Sequence, residues 1–263
     1  FVIGGNWKMQ ITQVQNAVRI AKDILKGLTQ TQVDVFIAPS ANALYSVGKV
    51  ISNTKLSLAG QNIHYFEEGA FTGQISILSL IDAGCSFVLL GHSEPRRIFG
   101  ETDELINLKV LKAVEKGIKP VLCIGESAKE REEGQTTEII QTQLEKGLNG
   151  LTTQQMPNVI IAYEPVWAIN NKFLNPDTKI KPATPEQASE AHIFIRDWIS
   201  SNFAHEFEEN IPIIYGGSMN PSNAKKLLEL EHIDGGLIGG ASLTADSFLQ
   251  IVQLAENLSQ KKN

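Results

Sequence analysis

Only two cysteines, Cys85 and Cys123, occur in 263 residues, far apart and without CxxC spacing. That excludes a disulfide framework and leaves two reduced, mostly buried thiols as the expectation, in a cytosol-like compartment. No apolar run approaches the about 18 residues of a membrane span, and no charged, apolar and small-residue signal precedes the first strand. A soluble, cytoplasmic protein is therefore expected, not one exported or held in a membrane. The chain opens directly on an apolar run at Phe1, which leaves room for a few native residues before it. A long basic run is also missing. The formal charge of −6 is spread as mixed charges, which excludes the footprint of a nucleic-acid or anionic-membrane partner. An anionic ligand must then be attracted locally.

Other absences narrow the chemistry. His64, His92, His192, His205 and His232 show no HxxxH pairing and no carboxylate cluster at ligand spacing, so no metal is expected. No GxGxxG opens a helix after the first strand, which argues against a dinucleotide, and no cofactor is expected. Linkers, low-complexity tracts and short-period repeats are lacking too, so residues 1–263 read as a single domain.

What is present, in a chain 42% hydrophobic and 20% charged, is material for a sizeable core. Strands are predicted at Phe1–Gly5, Val33–Ala38, Leu56–Gly60, Phe87–Gly91, Lys119–Ile124, Val159–Glu164, Pro212–Gly216 and Gly236–Gly239. Their near-continuous hydrophobicity suits strands buried on both faces, as in a parallel sheet. Helices are predicted at Thr12–Gly27, Ala41–Ile51, Ile75–Ala83, Asp103–Lys116, Thr136–Gly147, Pro185–Asn202, Pro221–Leu230 and Thr244–Leu258, with start signals at Thr184-Pro185-Glu186-Gln187 and Asn220-Pro221. In the first of them Val14, Ala17, Val18, Ala21, Ile24 and Leu25 recur at spacings of three and four, giving one apolar face. Strand and helix alternate eight times, the number that closes a parallel sheet into a (β/α)8 barrel with eight outer helices.

In such a barrel, chemistry gathers at the carboxyl ends of the strands. Those ends carry Asn6-Trp7-Lys8, Pro39-Ser40, Gln61-Asn62, His92-Ser93-Glu94, Gly125-Glu126, Glu164-Pro165, Gly216-Gly217-Ser218 and Gly239-Gly240. Glu164, ending an apolar run, is the candidate general base; taken alone it reads equally well as a rim carboxylate in an ion pair. His92 precedes a short helix starting at Ser93-Glu94-Pro95, whose amino terminus disfavours imidazolium, so a neutral ring could polarise a carbonyl. A lone histidine after a buried strand is more often structural. Lys8 is the cation placed to attract phosphate and stabilise an oxyanion, against the commoner solvated lysine. Asn6 could orient substrate, hold Lys8 or merely satisfy a turn. The paired glycines after strands seven and eight match the phosphate loops of barrels. One carboxylate, one imidazole, one lysine and a phosphate cradle point to abstraction of a proton alpha to a carbonyl.

The segments Gly4-Gly5-Asn6-Trp7-Lys8-Met9, Gly91-His92-Ser93-Glu94, Ala162-Tyr163-Glu164-Pro165-Val166-Trp167-Ala168-Ile169, Tyr215-Gly216-Gly217-Ser218 and Gly239-Gly240-Ala241-Ser242-Leu243 closely resemble the triosephosphate isomerase family, in order along the chain. The resemblance implies the TIM barrel and interconversion of dihydroxyacetone phosphate and glyceraldehyde 3-phosphate through an enediolate. Pairing a glutamate base with a neutral histidine is that family's own assignment and comes with the resemblance. It gives Glu164 the proton transfers at carbon and His92 those at oxygen. Asn6 and Lys8 bind substrate, and the N–H groups of Ser218, Gly239 and Gly240 hold phosphate. Leu237 walls in Glu164, Glu94 supports Lys8, and Ser93 holds Glu164 when the site is open. A homodimer is also implied, in which Thr72, within Gly69-Ala70-Phe71-Thr72-Gly73, touches the partner near Asn6; read alone, this is a glycine-bounded surface turn.

Two features depart from the family. The short glycine-containing hinge after Ile169 is replaced by a longer segment, Asn170–Pro182, ahead of Ala183-Thr184-Pro185-Glu186-Gln187, and Asn170 is taken as the lid amide that meets phosphate. The lid is still expected to close. Pro95 stands where the family usually has arginine, with Arg96 and Arg97 as replacements or members of a rearranged ion-pair network, an effect on stability more than chemistry. Three rivals remain. Another cofactor-free phosphate-binding barrel isomerase would not predict all these segments together, and a Schiff-base aldolase would need a lysine where Lys119, at the wrong rim, does not stand. The third is a catalytically silent barrel kept for binding, for which the altered lid is the only argument.

Overall fold

The computed structural model describes residues 1–28, 31–176, 182–203 and 211–262. Eight strands, β1 (Val2–Asn6), β2 (Asp34–Ala38), β3 (Leu56–Gly60), β4 (Cys85–Leu90), β5 (Lys119–Ile124), β6 (Ile160–Tyr163), β7 (Ile213–Tyr215) and β8 (Gly235–Ile238), pair in parallel and in sequence order. The barrel closes where β8 returns to β1, with Val2 opposite Gly235 and Gly5 opposite Ile238. Helices α1 (Val14–Gly27), α2 (Leu44–Ile51), α3 (Ile77–Asp82), α4 (Ser93–Ile98), α5 (Asp103–Glu115), α6 (Ala128–Glu132), α7 (Thr136–Gly147), α8 (Pro185–Asn202), α9 (Ala224–Leu228) and α10 (Ala245–Lys262) lie between or after them. Each of the eight predicted helices has its counterpart here. Two short ones, α4, expected at Ser93-Glu94-Pro95, and α6, sit directly after β4 and β5 and shape the rim.

The continuous apolar runs divide between two faces by the two-residue period of a strand. In β2, Phe36 and Ala38 point into the barrel, where Phe87, Val121, Ala162, Ile214 and Leu237 meet them, while Val35 and Ile37 pack outward under the helices. Phe36 and Phe87 stack across the interior at 4.9 Å. Gly4 is the neighbour that permits this, since a Cβ there would stand 2.1 Å from the Phe36 ring. Outside, α1 buries Ala17, Ile20, Ala21 and Ile24.

Local signals place most helix starts. Thr184 accepts from Gln187 N–H and Gln187 returns the bond, a capping box with Pro185 at the first turn of α8. Asn220-Pro221 begins a turn instead, and α9 starts only at Ala224: Asn220 Oδ1 accepts from Ser222 N–H, and Asn223 Oδ1 accepts from Asn220 N–H. Those side chains satisfy the amides as an extra helical turn would not.

His192 of α8 is fully buried, with Nδ1 3.0 Å from the His232 carbonyl and its ring edge-on to Tyr163. Burial lowers its pKa from 6.5 to about 3. The unfolded chain therefore binds a proton that the folded one refuses, and stability falls as pH drops from 6.5 toward 3. The expected loss at pH 5 is about 2 kcal/mol relative to pH 7. Urea midpoints across this range should drop, and the drop should shrink in His192→Gln; equal slopes in both proteins would refute the assignment.

Candidate active site

The cavity at the carboxyl end of the barrel has a volume of about 370 Å³. Asn6, Lys8, His92, Glu164, Ser218, Leu237, Gly239, Gly240 and Asn170 all line it, so residues spread over most of the chain converge on one space. Ser93 and Glu94 stand directly behind. Thr72 is elsewhere, exposed on its own loop.

Glu164 follows β6 and is buried, 2% exposed. Its Oε1 lies 3.0 Å from His92 Nε2, and Oε2 accepts the Ser93 N–H at 2.9 Å. Burial acts to raise its pKa, but His92, the Ser93 N–H and Lys8 outweigh burial and hold the carboxyl below its ordinary value. Its backbone is set by Gly125: a Cβ there would stand 1.9 Å from the Glu164 carbonyl oxygen, so only glycine lets the two rim loops approach.

His92 is the N-cap of α4, and its Nδ1 accepts the Glu94 N–H at 3.2 Å. A ring nitrogen that accepts carries no proton, which assigns the neutral tautomer with hydrogen on Nε2, pointed at Glu164. The short helix expected from Ser93-Glu94-Pro95 thus orients the imidazole through one backbone amide.

Lys8 adopts a left-handed backbone, φ 51°, unusual for a residue with a side chain. Three contacts hold it there. Asn6 Oδ1 accepts the Lys8 N–H at 3.0 Å, Gln61 Nε2 donates to the Lys8 carbonyl at 2.8 Å, and Nζ pairs with Glu94 Oε1 at 2.8 Å. Burial pushes the Glu94 pKa up, while the Lys8 ammonium and the Asn171 amide pull it down, and it stays below the ordinary range. Asn6 therefore does hold Lys8, one of the alternatives open in the sequence.

Backbone makes the opposite wall. A Cβ on Gly240 would touch nothing within 4 Å, and one on Gly239 would meet only Lys8 Cε, at 3.9 Å. Packing does not require glycine at either position. Their bare backbone instead leaves a concave surface that an anion can approach, with Lys8 alongside.

Beside Pro95, Arg96 donates to the carbonyls of Gly91 and Cys123 and pairs with Asp103, while Arg97 pairs with Glu130 at 2.7 Å. These arginines tie the β4 rim to α5 and α6. The lengthened segment is described as far as Pro176, with 177–181 of the expected Asn170–Pro182 lid outside the described residues.

Glu126, just after β5, has no local pattern that marks a role for it. Its carboxylate is fully buried and accepts from Tyr163 Oη, Trp167 Nε1 and Arg131, the last stacked over the Trp167 ring at 4.3 Å. Gln61, just after β3, is alike in this. Both stand at strand ends, and that position was their signal.

A closed parallel barrel whose strand ends assemble a buried carboxylate, a neutral imidazole, a held lysine and a bare-backbone cradle defines a barrel enzyme built for acid–base work on an anionic substrate. A family model described as triosephosphate isomerase matches residues 1–255. The chain is 43% identical over 256 residues to the triosephosphate isomerase of Geotalea uraniireducens (strain Rf4) and 45% identical over 256 residues to that of Chlorobium phaeobacteroides (strain BS1), covering in each case 97% of this chain and 98% of the relative. It is 47% identical over 251 residues to that of Protochlamydia amoebophila (strain UWE25), covering 95% of this chain and 92% of the relative. The chain belongs to the triosephosphate isomerase family.

Proposed function

We propose that the protein interconverts dihydroxyacetone phosphate and D-glyceraldehyde 3-phosphate, a step of glycolysis and gluconeogenesis, as one barrel domain in the cytoplasm. The observation that carries this reading is the convergence of Glu164, His92 and Lys8 on one cavity with a glycine-walled end. The phosphate rests on the amides of Ser218, Gly239 and Gly240, with Asn170 from the lid, and Lys8 neutralises charge. The carbonyl oxygen faces His92 Nε2–H and Lys8. Glu164 leaves Ser93 and takes the proton from the carbon alpha to the carbonyl, giving up the Ser93 N–H that helps to lower its pKa while keeping the burial that raises it. The C–H electron pair becomes the enediolate double bond, and the negative charge settles on the oxygen held by His92 and Lys8. His92 passes a proton between the two oxygens, and Glu164 returns its proton to the neighbouring carbon. Atoms and electrons balance with no further reactant.

Turnover of dihydroxyacetone phosphate, followed by a coupled glyceraldehyde-3-phosphate dehydrogenase, tests this. Folded protein without turnover would favour the silent-barrel reading.

The quaternary state we infer is a homodimer. Among the described residues Met9, Tyr45, Phe66, Phe71, Leu78 and Ile81 are apolar and exposed, and Tyr45 and Leu78 share a groove with Ile75. His64 stacks on Tyr65, Phe66 and Phe71, stiffening the loop that presents Thr72. Light scattering should give twice the chain mass, and Thr72→Arg should shift the protein toward monomer; a monomeric parent protein would overturn the inference.

Among the described residues, no helix is long and apolar enough to cross a membrane.

A further inference from the structure

The segment that replaces the family's short hinge folds back onto the residues following Glu164. After β6, the backbone makes a 3-10 turn at Val166–Ala168, with Val166 N–H donating to the Glu126 carbonyl at 3.0 Å. The next residues, Ile169 and Asn170, line the cavity. A second turn then brings Leu174 N–H and Asn175 N–H to the Asn171 carbonyl. That turn delivers the Asn175 side chain beneath the first one. Its Nδ2 donates to the Val166 carbonyl at 2.8 Å and to the Ile169 carbonyl at 3.0 Å, and the residue is 6% exposed. Both hydrogens of one amide nitrogen are thus spent on two carbonyls that bracket the turn. Buried polar groups of this kind are costly to strand, so the arrangement is geometrically demanding. From the same turn, Asn171 Nδ2 donates to Glu94 Oε1 at 2.8 Å, the oxygen that also holds Lys8.

We propose that Asn175 is a positioning residue of the isomerase site: its amide staples the inserted residues to the turn after Glu164 and so sets where Ile169 and Asn170 stand over the cavity and where Asn171 meets Glu94. This rests on the reading of Glu164 as the base and of Asn170 as a cavity-facing lid residue. Asparagine suits the task because its carboxamide supplies two donors on a short stem. Aspartate has the same shape but, ionised, no donor, and it would set negative charge against two carbonyl oxygens. Alanine strips the side-chain donor from both carbonyls, leaving Val166 only the Ile169 N–H and Ile169 only the Asn171 N–H, so that nothing ties the inserted turn to the first one through this residue, and glutamine keeps the donors on a stem one methylene too long.

Asn175→Ala, Asn175→Asp and Asn175→Gln should be compared with the parent protein in kcat, KM and inhibition by 2-phosphoglycolate. In parallel, 5-fluorotryptophan labelling reports on Trp167 by fluorine NMR, its resonance assigned with Trp167→Phe. The expected result is a fall in kcat of roughly tenfold to a hundredfold, largest for aspartate and smallest for glutamine. Inhibitor affinity should weaken in the same order, with the Trp167 resonance shifted and those of Trp7 and Trp198 unmoved. A lower melting temperature with unchanged kcat and an unmoved Trp167 resonance would assign Asn175 to stability alone and overturn the proposal. If the parent protein had no turnover, the proton-transfer reading would fail, while the Trp167 resonance would still decide whether the staple holds that turn.

Discussion

Glu164→Gln is expected to lower kcat by about a thousandfold with little change in KM, because general-base catalysis is worth about a hundredfold to ten-thousandfold and the carboxylate does not bind the phosphate. The amide matches the carboxylate in shape and can still accept the Ser93 N–H, now 2.9 Å from Glu164 Oε2. What it lacks is a basic oxygen. Its NH2 also turns toward His92 Nε2–H, a donor against a donor, so the imidazole should shift slightly. The comparison isolates proton abstraction from shape, and the coupled assay measures it. A variant retaining more than about a tenth of parental kcat would mean that another group takes the proton.

Lys8→Met should have the second-largest effect, about a hundredfold to a thousandfold in kcat, accompanied by a rise in KM. Both parameters move because the ammonium serves twice, neutralising phosphate on binding and the enediolate oxygen during reaction. A further cost comes from Glu94, which loses its 2.8 Å partner and remains as a half-buried negative charge beside the cavity. The double variant Lys8→Met, Glu94→Gln should therefore recover part of the KM loss while kcat stays low. Additive losses in the double variant would show that Glu94 exerts no field on the substrate, against this account. Methionine keeps the length of the side chain, so the left-handed backbone held by Asn6 and Gln61 should persist.

The pairing of Lys8 with Glu94 also shows where reading residues in order stops. Glu94 stands on α4 and Lys8 after β1, and no local pattern links residues 86 apart. Glu126 is similar: its partners come from β6, the turn after it and α6, so its burial follows from the closed barrel alone. Asn175 is hidden for another reason. Asparagine in a proline-containing stretch reads as ordinary turn chemistry, and only the fold-back onto Val166 and Ile169 turns it into a buried double donor.

The eight strands are legible in the chain because burial on both faces requires unbroken apolar runs, and the outer helices because one apolar stripe and one start signal are local properties. The chain by itself also sets Glu164, His92, Lys8 and the paired glycines on one rim, since parallel strands all end on the same side. Which atoms of those residues meet follows from the folded barrel: the neutral tautomer of His92, the docking of Glu164 on Ser93, the strained backbone of Lys8 and the stapled turn after Ile169. Each of these depends on hydrogen-bond geometry between distant segments, which is fixed when the barrel closes and brings them within about 3 Å.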